Sequence, residues 1–349
     1  MKILVNTPCL RLLGGVANHY LGLKQYWTEY VLYNTIGRRS TKKWSGLIWY
    51  PFDLLKFVYR LFAFRPDIVL LNPSLSKNAL KRDLIYLRIA KFCGKKVVVF
   101  FHGFNLTFAE SLDKRNVSGQ LNKADGIIVL AEEFRQVLLQ WGVQIPIKLS
   151  TTKVDDQLLD GVAFVPRKDV RQILFLARIT KEKGIFIALR AFAELKKKYS
   201  GVRLSVVGDG AALEEAKLFV NKNNLKNVIF HGRLDGKKLQ QEYMKSDLYL
   251  FPTSHAEGMP TSVLEAMAFG LPVVTRPVGG VKDFFKNEKM GFWVESLNSE
   301  DFAESMDRLC SDTQLMLEIS EYNYDYAKNH FMASQVAKSM ESLLRIFLS

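Results

Sequence analysis

Short, continuous apolar runs recur along the chain, and each ends at a turn. The first half contains KILVN, DIVLLN, KVVVFF and GIIVLA, and the second contains QILFLA, RLSVVG, NVIFHG, LYLFPT and LPVVTR. Segments with helical spacing separate these runs, for example residues 185–199 and 211–223. Strands that are apolar throughout, rather than alternating with polar residues, are typically buried on both faces under helices. The pattern therefore predicts an α/β protein with parallel sheets.

The pattern is interrupted between Ser150 and Gln172, where acidic residues, Gly161 and Pro166 replace the apolar runs. A chain of 349 residues is longer than one hydrophobic core usually serves. We predict two doubly wound, Rossmann-like domains, 1–165 and 166–349, with the last helix able to pack back on the first. Such sheets bind ligands beyond the carboxyl ends of their strands, so we expect a cleft between the domains.

The apolar segments also bear on location and redox state. No run of about 18 apolar residues occurs, and Met1–Asn6 lacks the pattern of a secretory signal. We therefore expect a cytoplasmic protein. Cys9, Cys93 and Cys310 are odd in number and widely separated, which favours reduced thiols over disulfides or a cysteine metal site.

The net charge of +14 is concentrated in the first half of the chain. Residues 1–165 carry 23 basic and 12 acidic residues, a balance of 23 − 12 = +11, whereas residues 166–349 carry 26 − 23 = +3. Such asymmetry favours an anionic partner. Residues 37–65 mix many cations with aromatic residues, which is typical of a membrane interface, and predict an anionic membrane surface as partner. A core-packed helix with a solvated basic face is the alternative; no nucleic-acid module accompanies the charge.

Three turns of the second half could lie against a ligand. Arg178 and Lys183 flank the turn between a predicted strand and a helix, where free helix amides also favour phosphate. Gly208 and Asp209 follow another strand, and Arg233 lies in the sequence FHGRL. Each of these motifs is short, so when one is taken alone, solvated surface charges or an ordinary strand-to-helix turn is the favoured explanation.

The stretch SHAEGMPTSVLEAMAFGLPVVT, residues 254–275, is more specific. Glu257 lies in a Gly/Pro loop and Glu265 in the apolar helix that follows it. Carboxylates are rarely buried without a partner. Hydroxyl groups of a sugar could donate a hydrogen bond to each.

Taken together, these motifs resemble the signature of family 4 retaining glycosyltransferases, which have the GT-B fold. ARITKEKG, VVGDG, FHGRL and YMKSDLYLFPT precede the two glutamates in the order that the family shows. The resemblance implies that Glu265 accepts hydrogen bonds from the ribose and Glu257 holds the donor sugar. It also implies that Arg178 and Lys183 neutralise the leaving diphosphate. Further donor contacts are implied for Gly208, Asp209, Arg233, Gly258, Met259 and Thr261.

The first half resembles the family less closely. Gly15, after the opening strand, matches the glycine-rich loop that lies close to the donor phosphate in the family. His102, at the end of VVVFFHGFN, matches a histidine that lies near the donor sugar, although a histidine at a strand end is more often structural. Ala177 replaces the glycine that usually precedes the arginine.

No Asp-x-Asp pair, the usual anchor of a metal-bound sugar nucleotide, occurs in the chain. We expect no metal and no other cofactor, because Arg178 and Lys183 can stabilise the leaving group. The resemblance implies transfer of a sugar, with retention of configuration, from a nucleotide diphosphate sugar such as a UDP-sugar. The acceptor would be lipid-linked or a glycan, in cell-surface polysaccharide or glycolipid synthesis. An epimerase-like GT-B enzyme and a catalytically silent binding subunit are the alternatives.

Overall fold

The structure is a computed structural model, and it describes residues 1–11, 14–37, 45–104, 106–255 and 258–348. The chain divides into two compact units. The first unit contains Met1–Lys153, Gly258, Met259 and Ala333–Ser349; the second contains Val154–His255 and Pro260–Met332.

The segment in which the apolar pattern is interrupted, between Ser150 and Gln172, belongs largely to the second unit, which begins at Val154. The Val154 amide donates to the Phe331 carbonyl at 2.7 Å, and the Gln240 side chain donates to the carbonyls of Leu158 and Asp160 at 3.0 Å each. The ring of Phe164 stacks on that of Tyr324, with centroids 4.0 Å apart. These contacts use backbone groups and one aromatic ring, so the polar composition of the segment does not reveal them.

The first unit is a parallel sheet with helices on both faces. In the described residues its strand order is β2-β1-β3-β5-β7-β8, with a separate short pair β4-β6. The elements are β1 (Lys2–Pro8), α1 (Gly15–Leu23), β2 (Tyr30–Ile36), α2 (Ser45–Ala63), β3 (Ile68–Leu71), β4 (Ser74–Leu75), α3 (Lys77–Phe92), β5 (Lys96–Phe101), β6 (Gly103–Phe104), α4 (Leu106–Glu110), α5 (Lys114–Leu121), β7 (Gly126–Val129), α6 (Glu132–Gln140), β8 (Ile147–Leu149) and the last helix, α14 (Ala333–Ile346).

The second unit is also a parallel sheet, with the strand order β11-β10-β9-β12-β13-β14 in the described residues. Its elements are β9 (Gln172–Leu176), α7 (Ile185–Lys198), β10 (Arg203–Val207), α8 (Leu213–Lys222), β11 (Val228–Gly232), α9 (Gly236–Lys245), β12 (Leu248–Phe251), α10 (Thr261–Ala268), β13 (Val273–Thr275), α11 (Val281–Phe284), β14 (Gly291–Trp293), α12 (Ser299–Ser311) and α13 (Thr313–His330), with short 3-10 turns at Asp156–Leu159 and Lys181–Lys183.

The apolar runs form the central strands, as predicted. Every residue of β3, β7 and β12 is buried, because helices cover both faces of each sheet. In the first unit, one core lies on the side of α2 and α3, and the other on the side of α1 and α14. The predicted α/β architecture with parallel sheets is confirmed.

The strand orders define where each sheet can bind a ligand. Numbered by their sequence within the second sheet, its strands lie in the order 3-2-1-4-5-6, so the chain reverses direction across the sheet between β9 and β12. In the first sheet the reversal lies between β1 and β3. Loops at the carboxyl ends of the strands diverge at such a point and leave a crevice for ligands. Among the helices described, none is long and apolar enough to cross a membrane.

Candidate functional site

Arg178 lies at the carboxyl end of β9, at the switch point of the second sheet. Its side chain is exposed, and no hydrogen bond or ion pair with the other described residues is found for it. The Thr180 amide donates to the Arg178 carbonyl at 2.9 Å and so closes the turn that leads to α7. The structure therefore presents an exposed guanidinium at the place where the strand order predicts a ligand-binding crevice.

Lys183 lies in the same turn, which is tied to the loop after β12. The Glu182 carbonyl accepts hydrogen bonds from the amides of Ser254 and His255 at 2.8 and 3.2 Å. Gly184 is the N-cap of α7 and has a φ of 84°, and a Cβ there would lie 2.1 Å from the Pro252 carbonyl oxygen. The turn is thus fixed against the β12 loop, and the Lys183 ammonium lies 5.8 Å from the centroid of the Phe251 ring.

Glu265 lies in the second turn of α10 and is half-buried. Its Oε2 accepts a hydrogen bond of 2.7 Å from the hydroxyl of Tyr243, a fully buried residue of α9. The Tyr243 ring stacks on Phe269, with centroids 4.9 Å apart. Burial, and then the neighbouring Glu265 carboxylate, raise the pKa of Tyr243 well above its ordinary value, so the hydroxyl stays a donor. One rotamer of Glu265 is held in place.

A second tyrosine ties α10 to the end of β9. The Tyr249 hydroxyl lies 2.9 Å from the Leu176 carbonyl oxygen and 2.7 Å from Ser262 Oγ. Ser262 belongs to the first turn of α10, and Leu176 precedes Arg178 by two residues. The amino end of a helix, which favours anions through its free amides, is therefore held next to the arginine turn.

The remaining predicted positions of the second unit form the neighbouring loops. At Gly208, φ is 138°, and a Cβ would lie 1.9 Å from the Ala177 carbonyl oxygen, so this glycine is required by the fold itself. Asp209 is exposed and accepts from the Gly210 amide at 2.7 Å. Arg233, after β11, is exposed and makes no ion pair with the described residues.

The loop that precedes α10 is described only in part, because Glu257 lies outside the described residues. Gly258 and Met259 belong to the first unit. A Cβ at Gly258 would lie 3.3 Å from the His102 carbonyl oxygen, and Met259 packs against the core beside α1 and α14. Thr261 begins α10 and is half-buried.

In the first unit, Gly15 begins α1 and is surrounded by open space, since a Cβ there would have no neighbour within 4 Å. His102 follows β5 and is half-buried. Its ring lies 3.9 Å from that of Phe100 and 4.9 Å from that of His19, measured between centroids. Burial, and then the nearby His19, lower the pKa of His102 well below its ordinary value, so the ring is neutral at pH 7.

Three residues of these sites were not predicted from the sequence: Tyr243, Tyr249 and Asn72, which contacts His102. Both tyrosines lie in YMKSDLYLFPT, which is part of the family resemblance, so the motif could have indicated them. Nothing in the sequence around Asn72 distinguishes it from an ordinary residue at a strand end. In the described part of the chain, no group of three or more His, Cys, Asp or Glu side chains is placed to hold a metal ion.

Comparison with solved structures identifies the architecture. The structure of HepE from Anabaena, determined in complex with UDP, matches with a TM-score of 0.73 at 17% identity, over 99% of this chain and 100% of that chain. The fold is GT-B. The GT-B fold predicted from the sequence is confirmed, and each unit supplies one of its two Rossmann-like sheets.

Comparison of sequences finds one family model and several glycosyltransferases. Residues 162–326 match the family model of glycosyl transferases group 1. The capsular polysaccharide biosynthesis glycosyltransferase CapM of Staphylococcus aureus is 26% identical over 274 residues, 77% of this chain and 66% of CapM. An uncharacterized glycosyltransferase of Methanocaldococcus jannaschii is 32% identical over 145 residues, 41% of this chain and 37% of that protein. Each match spans less than two thirds of the relative's length. The region that matches the group 1 model lies almost entirely in the second unit.

Proposed function

We propose that this protein is a retaining glycosyltransferase that moves a sugar from a nucleotide diphosphate sugar, UDP-linked, to a lipid-linked or glycan acceptor. Cell-surface polysaccharide or glycolipid synthesis is the proposed setting. The group 1 domain supports the reaction class. The similarity to CapM, named for capsular polysaccharide biosynthesis, supports the setting, and HepE, solved with UDP, supports the base of the donor.

One observation carries the proposal: Tyr249 fixes the amino end of α10 against the end of β9, where Arg178 is exposed. A diphosphate bound there meets free helix amides and a guanidinium, which is the donor set that phosphate groups prefer. Glu265, one turn further along α10 and held by Tyr243, accepts hydrogen bonds from the ribose hydroxyls. Phosphate and ribose are adjacent groups of a nucleotide, so one ligand satisfies both.

The proposed chemistry is electrostatic. As the bond between the sugar and the diphosphate breaks, negative charge grows on the leaving oxygen, and Arg178 and Lys183 stabilise it. This role requires no metal ion. Glu257 holds hydroxyl groups of the donor sugar, as the family resemblance implies, with backbone amides of Gly258, Met259 and Thr261 as further donors.

We also propose that the first unit binds an anionic membrane surface at the cytoplasmic side. The outward face of α2 carries a stripe of large apolar side chains that are 42% to 71% exposed: Trp49, Phe52, Leu55, Tyr59 and Phe62. Their spacing of three and four residues keeps them on one face of the helix. An interfacial helix binds lipid through such a face, with aromatic residues at the level of the headgroups.

The cations of α2 do not lie on that stripe. Lys56 Nζ donates to the Thr35 carbonyl at 3.1 Å, and Arg60 Nη1 donates to the Tyr33 carbonyl at 2.5 Å, so both fasten α2 to the edge strand β2. The cations that the sequence places nearby, Arg38, Arg39, Lys42 and Lys43, lie outside the described residues. The membrane proposal therefore rests on the apolar stripe and on the charge balance of the first half.

A donor screen followed by product analysis tests the proposed reaction. Nucleotide diphosphate sugars are first ranked by thermal shift, because a ligand at a hundred times its Kd stabilises the folded state by about 2.7 kcal/mol. The best donor is then incubated with EDTA, with and without a lipid-linked acceptor, and the anomeric configuration of the product is read by NMR. We expect acceptor-dependent transfer with retention. A changed nucleotide sugar without an acceptor indicates an epimerase-like enzyme, inversion contradicts the proposed stereochemistry, and binding without any product indicates a silent subunit.

A further inference from the structure

Asn72 follows β3 at the switch point of the first sheet, and its amide group has one fixed orientation. The residue is 2% exposed. Its Nδ2 donates to the carbonyl oxygens of Asn6 and Leu70, at 3.0 and 3.2 Å. If the amide were turned over, Oδ1 would face both of these oxygens and two hydrogen bonds would become repulsions. The positions of Oδ1 and Nδ2 are thus set by the main chain.

The fixed oxygen of Asn72 determines which nitrogen of His102 carries hydrogen. Asn72 Oδ1 lies 2.5 Å from the Tyr20 hydroxyl and 3.1 Å from His102 Nε2. An amide oxygen only accepts hydrogen bonds, so both neighbours must donate to it. His102 is therefore protonated at Nε2. Because the ring is neutral, Nδ1 carries a lone pair, and no hydrogen bond to it from the described residues is found.

The described residues around His102 keep the ring from taking a second proton. His19 and Tyr20 of α1 and Phe100 of β5 lie against it, with ring centroids 3.9 to 5.7 Å away. His19 is 1% exposed, and neither of its ring nitrogens has a hydrogen-bond partner among the described residues. Burial, and then the charge of Lys153, lower the pKa of His19 to about 3, so the His19 ring is neutral at pH 7. No carboxylate is among these neighbours.

We infer that Asn72 is a positioning residue that holds His102 as the Nε2-protonated tautomer, so that Nδ1 accepts a hydrogen bond from a hydroxyl group of the bound substrate. The inference rests on the proposed function, because the sugar-bearing substrate supplies the hydroxyl group that would donate to Nδ1. The opposite tautomer would present a donor at Nδ1 and place Nε2 against Asn72 Oδ1 without a hydrogen. Asn72 therefore determines that His102 Nδ1 accepts a hydrogen bond from the substrate and does not donate one.

NMR of protein labelled with ¹⁵N-histidine tests the tautomer without any substrate. The chain has five histidines, which keeps the spectrum simple, and the His102 signals are assigned by their loss in His102→Ala. We expect Nε2 protonated and Nδ1 unprotonated from pH 5 to pH 8. Tyr20→Phe is the matched control, since it removes the other hydrogen bond to Asn72 Oδ1 and should leave the His102 signals in place.

In Asn72→Ala, a second tautomer or a protonated ring should appear. Hydrogen at Nδ1 in the wild type, or an imidazolium at pH 7, overturns the inference. An unchanged His102 spectrum in Asn72→Ala overturns it as well. The wild-type spectrum decides the tautomer even if the variant does not fold.

A double-mutant cycle on turnover tests whether Asn72 acts through His102. We expect Asn72→Ala to lower kcat roughly two- to tenfold, the effect of one hydrogen bond, in the wild-type background. In the His102→Ala background it should cause no further loss, because there is no ring left to orient. Equal losses in both backgrounds overturn the positioning role. If the tautomer is present but no sugar is transferred, the proposed function fails while the tautomer assignment stands.

Discussion

Tyr243 donates a hydrogen bond of 2.7 Å to Oε2 of the Glu265 carboxylate. Tyr243 belongs to α9 and Glu265 to α10, so the bond joins two helices that are separated in sequence by β12. The donor is fully buried and its ring is stacked, which gives it little freedom to move. The carboxylate is thus oriented before any ligand arrives, and a preoriented group binds at a lower entropic cost.

Replacing Tyr243 by phenylalanine should separate orientation from packing. The ring still stacks on Phe269, but Glu265 loses the hydrogen bond from this hydroxyl, so we expect a loss of about 0.5–1.5 kcal/mol in stability and a several-fold higher Kd for UDP. Calorimetry measures both binding and unfolding. Tyr199→Phe is the control, because that hydroxyl donates to Asp307 at 2.6 Å instead. Unchanged UDP affinity in Tyr243→Phe would show that Glu265 does not depend on this bond.

Replacing two glycines of the predicted site by alanine should destabilise the protein at Gly208 but not at Gly15. At Gly208 the added Cβ meets the Ala177 carbonyl at a φ of 138°, so Gly208→Ala should cost about 2 kcal/mol or more of stability. Gly15 has open space around it, and Gly15→Ala should leave the Tm in place. Should donor phosphate approach the backbone there, Gly15→Ala will still lower turnover. Thermal unfolding and activity are measured on both variants. An equal decrease in Tm would contradict the claim that the fold requires glycine at position 208 but not at position 15.

The fold was predictable from the sequence because buried parallel strands leave continuous apolar runs. The order of the strands in each sheet and the side-chain hydrogen bonds of the candidate site were not predictable. Tyr243 contacts a residue 22 positions further along the chain, and Asn72 contacts one 30 positions further, which local patterns do not encode. A count of charges also does not show which basic side chains are bound within the protein. Lys56 and Arg60 add to the positive charge of the first half, yet both donate hydrogen bonds to main-chain carbonyls of β2.

Stability should fall with acid because of His19. Its pKa is about 3 when folded and about 6.5 when unfolded, so between these values the unfolded chain binds the extra proton and stability rises with pH. His19 alone should cost about 2 kcal/mol between pH 8 and pH 5, and His102, shifted in the same direction, adds to it. Urea titrations followed by tryptophan fluorescence mainly report the first unit, which holds Trp27, Trp49 and Trp141.

His19→Phe should remove the proton that His19 takes up on unfolding. The slope of the unfolding free energy against pH should therefore decrease by up to about 1.4 kcal/mol per pH unit. The measurement is the change in the free energy of unfolding between pH 8 and pH 5 in both proteins. The same slope in His19→Phe and in the wild type would mean that His19 is not the buried neutral group described above.

The apolar stripe on α2 should bind lipid. Replacing Phe52, Leu55, Tyr59 and Phe62 by serine should reduce co-sedimentation with anionic liposomes more than tenfold, because each exposed ring or leucine that enters the interface contributes roughly 1 kcal/mol or more. Leu218→Ser, at a position in the second unit that is 67% exposed, is the control and should bind as the wild type does. Equal sedimentation of the stripe variant and the wild type would remove the stripe from the membrane proposal.

The most direct test of the account is calorimetric titration of UDP into the wild type, Arg178→Ala and Arg171→Ala. The two arginines flank the same strand, β9, Arg178 at the carboxyl end and Arg171, beside Asp169, at the amino end. We predict that the wild type binds UDP, that Arg178→Ala binds roughly ten- to a hundredfold more weakly through loss of a charged hydrogen bond to the diphosphate, and that Arg171→Ala is unchanged. Absence of nucleoside diphosphate binding in the wild type, or equal affinities in the two variants, would contradict a donor site at this switch point.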